Sequence, residues 1–423
     1  MPYVNIKITR EGATPEEKAQ LIKGVTDLLA RVLGKNPKTT VVVIEEVDTD
    51  NWGIAGESVT VLRQRSYTGA VCKILGVYMR YKLLGRSGLR VSELCLGTMT
   101  FGDEWGWGST KAESRRIFDG FAEAGGNFID TADLYTEGTS EKFLGEFLST
   151  QREKFVLATK FTNNAPSTDP NAAGNHRKNM VQSLEASLKR LRLDYIDLYW
   201  LHIWDFTTPV EEIMRAFDDM VSAGKILYVG ISDTPAWIVS RANMLAELRG
   251  WTPFVALQVE YSLVERTPER EFLPMAGELD LGVTAWSPLG SGLLTGKYTK
   301  TADEKADRRL DKAKFKEITE RELTIAREVD RISEELDCTP AQLALAWLRT
   351  HPHVIPIIGA RTKDQIEDNI GCLDVSLSTE QLSRLDAVSR IDRGFPHEFL
   401  EDETVRGFTF GGMAGRIDNH RKS

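Results

Sequence analysis

The chain opens on a short alternation of apolar and polar positions. Tyr3-Val4-Asn5-Ile6-Lys7-Ile8 predicts a strand with one covered face. Thr14-Pro15-Glu16-Glu17 then supplies a hydroxyl cap, a proline at the first helical position and a carboxylate at the third, which together start a helix. Leu21, Ile22, Val25, Leu28, Leu29, Val32 and Leu33 follow at helical spacing and make one apolar face. Thr40-Val41-Val42-Val43-Ile44 reads as a second strand, so residues 1–65 are predicted to form a small βαβ unit. One helix covers one sheet face and leaves the other open. Domains of about 60 residues bury only about 60% of their unfolded surface, so the unit is expected to associate with copies of itself.

Residues 66–78 match neither neighbour and read as a packed connector, with a short interaction segment as the alternative. Met79-Arg80-Tyr81 looks like a second beginning, and the remaining unit is placed at 79–423. Up to about residue 360, apolar strand-like runs alternate with helix-like stretches such as Ser114–Ala124 and Met180–Leu191. The strands are predicted at Leu94–Met99, Phe128–Thr131, Phe155–Phe161, Ile196–His202, Ile226–Ser232, Phe254–Tyr261, Val283–Leu289 and Val354–Ala360. Eight strands with helical crossovers imply an α/β fold, a closed (β/α)8 barrel of the TIM type. An open doubly wound sheet is the alternative, although no Gly-x-Gly-x-x-Gly turn follows the first strand. A further helix is predicted at 379–391, with a loop over one face after Gly394.

Composition narrows the function classes. A net charge of −9 over 423 residues argues against a nucleic-acid footprint. No apolar stretch is long enough for a bilayer, and no signal pattern begins the chain, so neither membrane nor export is expected and the location is read as cytoplasmic. Cys72, Cys95, Cys338 and Cys372 are scattered, which fits reduced thiols better than a disulfide framework or a metal site. Gly290-Ser-Gly-Leu-Leu-Thr-Gly296-Lys297 imitates a nucleotide-phosphate loop. The pattern needs glycine at 291 and a hydroxyl at 298, where Ser291 and Tyr298 stand, so ATP is not expected.

The chemistry gathers at strand ends, where barrels of this kind build active sites. Asp130 and Tyr135 follow the second strand, Lys160 closes the third and His202 the fourth. A free phenol titrates near pH 10 and gives up its proton reluctantly at neutrality. An ammonium beside it is expected to pull that value down toward working pH. Lys160 takes that place, Asp130 keeps it charged, and His202 steers the substrate oxygen or relays the proton.

Residues 79–392 resemble an aldo-keto reductase, from Arg80-Tyr-Lys-Leu-Leu-Gly-Arg-Ser-Gly-Leu-Arg-Val-Ser to Pro356-Ile-Ile-Gly-Ala-Arg. Gly230-Ile-Ser-Asp-Thr-Pro-Ala-Trp and Ala285-Trp-Ser-Pro-Leu-Gly-Ser-Gly are similar to the aryl-alcohol-dehydrogenase-like branch. The resemblance implies reduction of a small carbonyl substrate by a tetrad of Asp130, Tyr135, Lys160 and His202. It implies NADP(H) laid across the barrel mouth. Trp286 would stack on the nicotinamide, and Ser232, Asp233 and Gln258 would hold its carboxamide. Asp233 stands where many members have asparagine; it accepts but does not donate when ionised. Thr98 and Met99 would line the cofactor site. Ser287, Pro288, Leu289, Gly290, Ser291 and Lys297 would meet the pyrophosphate, and Gly359, Arg361, Gln365, Asp368 and Asn369 the adenosine end. Arg361 is the expected 2′-phosphate contact, since guanidinium binds phosphate in a fork. Trp105, Trp107 and Trp204 suggest an apolar substrate, aromatic or not, or serve equally as packing.

Residues 2–65 resemble a 4-oxalocrotonate-tautomerase-type subunit through Pro2-Tyr-Val-Asn-Ile-Lys-Ile, Thr14-Pro-Glu-Glu-Lys and Asn51-Trp-Gly-Ile-Ala-Gly-Glu57. The family's base is its amino-terminal proline, here Pro2 once Met1 is removed. Trp52 takes the place of an active-site aromatic and Arg10 approximates one carboxylate-binding arginine. The other arginine position reads Val41, and Ala55 interrupts a glycine-rich run. The resemblance therefore implies either a second, proline-based activity or a module that only assembles the homo-oligomer. A cofactor-sensing regulatory protein is the alternative to an enzyme.

Overall fold

The computed structural model describes residues 2–9, 13–54, 57–58, 79–164, 167–299 and 318–418. Met1, Arg10, Ala55 and the 66–78 connector lie outside the described residues. The chain divides into two compact units, Met1–Val77 and Tyr78–Ser423.

In the first unit, strand β1 (Tyr3–Thr9) and strand β2 (Val41–Val47) pair in parallel from Tyr3 opposite Val41 to Thr9 opposite Val47. Parallel neighbours need a crossover, and helix α1 (Pro15–Leu33) provides it. The predicted start is built as a capping box: Glu17 N–H donates to Thr14 Oγ1 at 3.2 Å, and Thr14 N–H donates to the Glu17 carboxylate at 2.8 Å. Gly34 ends the helix with φ +60°, a left-handed turn that glycine enters at no steric cost. No residue of α1 is buried, and Leu28, Val32 and Leu33 are each about half exposed or more.

The second unit is a closed barrel of eight parallel strands: Cys95–Gly97, Phe128–Asp130, Val156–Phe161, Ile196–Leu201, Ile226–Ser232, Phe254–Glu260, Gly282–Trp286 and Val354–Gly359. Strands covered on both faces read as near-continuous apolar runs, and these are buried almost throughout. Helices of the outer ring carry Phe121, Leu184, Phe217 and Ile325 onto the barrel's outside. Inside, Leu198, Trp200, Val255 and Ile355 fill the core. The first strand is shorter than predicted because the Phe101 N–H folds back onto Thr98 O at 3.0 Å.

Two features differ from the sequence reading. A hairpin of Tyr81–Leu83 with Arg90–Ser92 precedes the barrel, and its Leu84 and Val91 join the interior cluster. Arg86 N–H donates to Asp280 O at 2.7 Å, so the hairpin closes the end where the strands begin. The tail after Gly394 is not simply a loop. His397–Glu401 and Glu403–Thr409 are helical, the second started by Asp402 accepting from the N–H groups of Thr404 and Val405. Among the described residues no helix is long and apolar enough to cross a membrane.

Candidate active site

The second, third and fourth barrel strands end side by side, and their register brings the four predicted groups together. Asp130 pairs with Ala158 and Lys160 with Trp200, one strand further round. Lys160 is fully buried, and its three N–H bonds are all engaged. Nζ donates to Asp130 Oδ2 at 2.5 Å, to Thr131 O at 2.9 Å and to Tyr135 Oη at 3.1 Å. Asp130 Oδ1 accepts from Gln258 Nε2 at 3.1 Å. Thr136 and Glu137, with φ of +47° and +56°, turn the backbone sharply just after Tyr135.

His202 follows the fourth strand, tied by its N–H to Phe161 O at 3.1 Å. Its ring stands edge-on to Tyr135, centroids 6.1 Å apart. Asn163 Nδ2 lies 3.2 Å from Nδ1, so with the amide donating the neutral ring carries its hydrogen on Nε2. Asn163 was not anticipated; the only signal was a polar residue three positions past Lys160, just beyond a strand end.

Burial sets the protonation states. It pushes the His202 imidazole down to about 3, with the Lys160 charge adding to the effect, so this ring is neutral at physiological pH. Burial also draws the Lys160 ammonium down, but Asp130 and Tyr135 together outweigh it and hold lysine above its ordinary value. The expectation for Tyr135 needs correcting. Burial holds the phenol above its ordinary value; Lys160 pulls it down as expected but by less. Tyr135 is therefore a firmly protonated acid. Behind the site, burial and the nearby Glu141 raise the Asp133 carboxyl to about 7 against the pull of Arg190.

Ser232 and Gln258 sit opposite one another on adjacent strands. The Ser232 hydroxyl is buried with no hydrogen-bond partner among the described residues. Asp233, next along, adopts φ +40° and accepts from Trp286 Nε1 at 3.0 Å. Past Trp286 the chain turns through left-handed conformations at Ser287, Gly290, Ser291 and Gly292, and Ser291 N–H donates to Ser287 Oγ. Pro288 and Leu289 lie inside this turn, and Lys297 beyond it is exposed. Thr98 is buried against Asp130 O, with Met99 half-buried after it.

The last strand ends in Gly359, whose carbonyl accepts from Asn369 Nδ2 at 3.2 Å. Arg361 N–H donates to Gln365 Oε1 at 2.8 Å. Asp368 turns to Gln342 of the helix Pro340–Arg349 and to Thr339, which caps that helix. Aromatic rings crowd the mouth: Trp105 stands edge-on to Tyr135 with centroids 6.5 Å apart, and beside Trp107 at 5.8 Å. Trp204 packs edge-on against Phe206, which is largely exposed.

In the small unit, Pro2 is half-buried and its carbonyl accepts from Val41 N–H at 2.9 Å. A groove of about 790 Å³, lined by residues such as Ile8, Glu17, Leu21 and Val25, lies toward the far end of β1 from Pro2.

Comparison with known proteins agrees with this division. The model of the aldo/keto reductase family matches residues 93–390, and that of the tautomerase enzymes matches residues 2–62. A norsolorinic acid reductase of Emericella nidulans is 40% identical over 325 residues, covering 74% of this chain and 82% of that protein. An aryl-alcohol dehydrogenase (NADP+) of Phanerodontia chrysosporium is 35% identical over 343 residues, covering 74% and 87% respectively. An aldo-keto reductase of Emericella nidulans is 36% identical over 334 residues, covering 75% and 84%. The chain belongs to the aldo/keto reductase family, an oxidoreductase barrel that carries a tautomerase-family domain ahead of it.

Proposed function

We propose that the barrel reduces an aromatic aldehyde or ketone with NADPH, and reversibly oxidises the matching alcohol. The observation that carries this is the buried chain from Asp130 through Lys160 to Tyr135 Oη, which leaves one phenol as proton donor beneath an aromatic mouth. Tyr135 protonates the carbonyl oxygen, and Lys160 stabilises the phenolate left behind. His202 Nε2–H holds that oxygen in place. A bound NADPH supplies the hydride to the carbonyl carbon, which balances the reaction as carbonyl, hydride and proton giving alcohol and NADP+.

The residues fit such a cofactor. The buried Ser232 hydroxyl, next to the Asp233 carboxylate and with no closer partner among the described residues, suits a carboxamide, and Trp286, held by Asp233, is a ring platform. The left-handed run from Ser287 to Gly292 supports close approach of backbone to a pyrophosphate. Arg361 favours the 2′-phosphate and hence NADPH over NADH. Relatives named as a norsolorinic acid reductase and an aryl-alcohol dehydrogenase support carbonyl reduction, and the second name supports an aromatic substrate. NADPH oxidation with a panel of aromatic and aliphatic aldehydes tests the reading. Absence of turnover in the parent, or equal rates in Tyr135→Phe, sinks it.

In this reading residues 1–65 form the tautomerase-like domain, 66–78 the connector and 79–423 the reductase domain of a cytoplasmic homo-oligomer. The exposed apolar side chains of α1 and Tyr3 support self-association. Pro2 is the base of a second, tautomerase activity. Equal rates of phenylpyruvate ketonisation in parent and Pro2→Ala remove Pro2 from that role.

A further inference from the structure

The acid at position 233 is the feature of the mouth that the hydride-transfer reading leaves unused. Asp233 lies beyond the strand end that carries Ser232, and its backbone is fixed by Asp233 N–H donating to Gln258 O at 3.2 Å. Its Oδ1 holds the indole N–H of Trp286 at 3.0 Å, so a carboxylate stands at the edge of the ring platform. Its charge is felt in the tetrad, where it raises the Tyr135 phenol, and Lys160 in turn lowers Asp233; the aspartate itself stands exposed at the rim, and partial desolvation there holds its carboxyl above its ordinary value.

A charge inventory of this corner gives the inference. Lys160 is matched by Asp130 at 2.5 Å. His202 is neutral, and Tyr135 is protonated. Glu260, in register with Trp286, brings no positive charge. Among Asp130, Tyr135, Lys160, His202, Asp233 and Trp286, Asp233 is therefore the charged group with no ion-pair partner within the set. Asparagine here would accept from the same indole N–H and carry no charge.

We propose that the Asp233 carboxylate makes the barrel bind the oxidised, cationic nicotinamide more tightly than the reduced, neutral one, biasing the bound cofactor toward the form that accepts hydride. The inference rests on the reading of Trp286 as the nicotinamide platform. A reduced ring carries no formal charge, and loss of hydride leaves it with one positive charge. A fixed negative charge at this exposed rim, beside the ring platform, acts on the second state and barely on the first. The overall equilibrium between alcohol and carbonyl is unchanged; what shifts is which cofactor form the protein holds.

Calorimetric titration of the full chain with NADP+ and with NADPH separates the outcomes. Asp233→Asn should weaken NADP+ by about tenfold, the scale of one screened unit charge several ångströms away, and leave NADPH within about twofold. If Asp233 only props the Trp286 ring, both forms weaken together, and that result overturns the proposal, as does no change in either. Asp233→Ser removes the same charge and serves if the asparagine variant does not fold. Failure of the parent to bind either form would instead overturn the nicotinamide reading, and the inference with it.

Discussion

Gln258 donates its side-chain nitrogen to Asp130 Oδ1 at 3.1 Å, from a strand 128 positions further along the chain. The same carboxylate receives Lys160 on its other oxygen, so its position is fixed from two sides of the barrel. Gln258→Leu removes the donor and leaves a buried carboxylate oxygen unpaired. The expected cost is about 1–3 kcal/mol in stability, measured by urea unfolding. Loosening of Lys160 should lower kcat/KM for carbonyl reduction by about tenfold or more. Unchanged unfolding midpoints would show that this amide does not support Asp130.

Two neighbouring substitutions should behave oppositely. Lys160→Met leaves Asp130 buried without its cation and is expected to cost about 3–5 kcal/mol. Tyr135→Phe keeps that ion pair and should alter stability by no more than about 1 kcal/mol, while reduction slows by about 10²–10⁴-fold. Paired unfolding and NADPH-oxidation measurements distinguish them. A Tyr135→Phe variant as unstable as Lys160→Met contradicts the assigned roles.

The pH dependence of reduction should lack a step near neutrality. His202, held down at about 3, does not change charge between pH 5 and 9. Tyr135, raised by burial, stays protonated until above the ordinary phenol value. Initial rates should therefore stay level from pH 5 to 9 at saturating substrate. An inflection near the ordinary histidine value of about 6.5 that vanishes in His202→Gln would show imidazolium at work.

Asp133 should make the barrel less stable as pH rises. Its carboxyl titrates near 7 in the fold, pushed up chiefly by burial, against about 3.9 in an unfolded chain. Below the lower value both states are protonated and the fold loses nothing. Between the two the unfolded chain releases its proton first, so stability falls as pH rises toward 7 and stays low above it. Asp133→Asn should thus stabilise by roughly 2–4 kcal/mol at pH 8 and change little at pH 4. Thermal melts at the two pH values check the sign.

Exposed apolar side chains on α1 predict the outcome of charge insertion there. Leu28 and Val32 are 48% and 65% exposed, so much of each side chain faces solvent rather than its own unit. Leu28→Glu with Val32→Glu should lower the sedimentation coefficient to that of a monomer and leave reductase turnover per chain unaltered. An unchanged coefficient would mean that this face takes no part in assembly.

The barrel was readable because its signals repeat: eight apolar runs, each ending near a turn, with chemistry gathered where the strands stop. The start of α1 was readable for a local reason, since Thr14, Pro15 and Glu17 fill adjacent roles in one cap. The floor hairpin was not, because three-residue strands carry too few positions to show alternation. The tail helices are five and seven residues long and give no helical period. Within the candidate site, the four strand-end residues were visible, whereas Asn163 beside His202 and Gln258 beside Asp130 join through folding alone. The balance at Tyr135 was also hidden. A neighbouring cation is seen in sequence, but the depth of burial that overrules it is a property of the closed barrel.

That closure has a kinetic consequence. The hairpin of Tyr81–Leu83 and Arg90–Ser92, with Leu84 and Val91 wedged among the core side chains, stoppers one end of the barrel. In the proposed reading, what reacts over Lys160 comes and goes at the other end, where the strands stop. If the proposed cofactor and substrate both pass there they form a queue, in which the deeper occupant arrives first and departs last. In that reading, traffic through the opening joins the chemistry at its base in governing how fast the protein turns over.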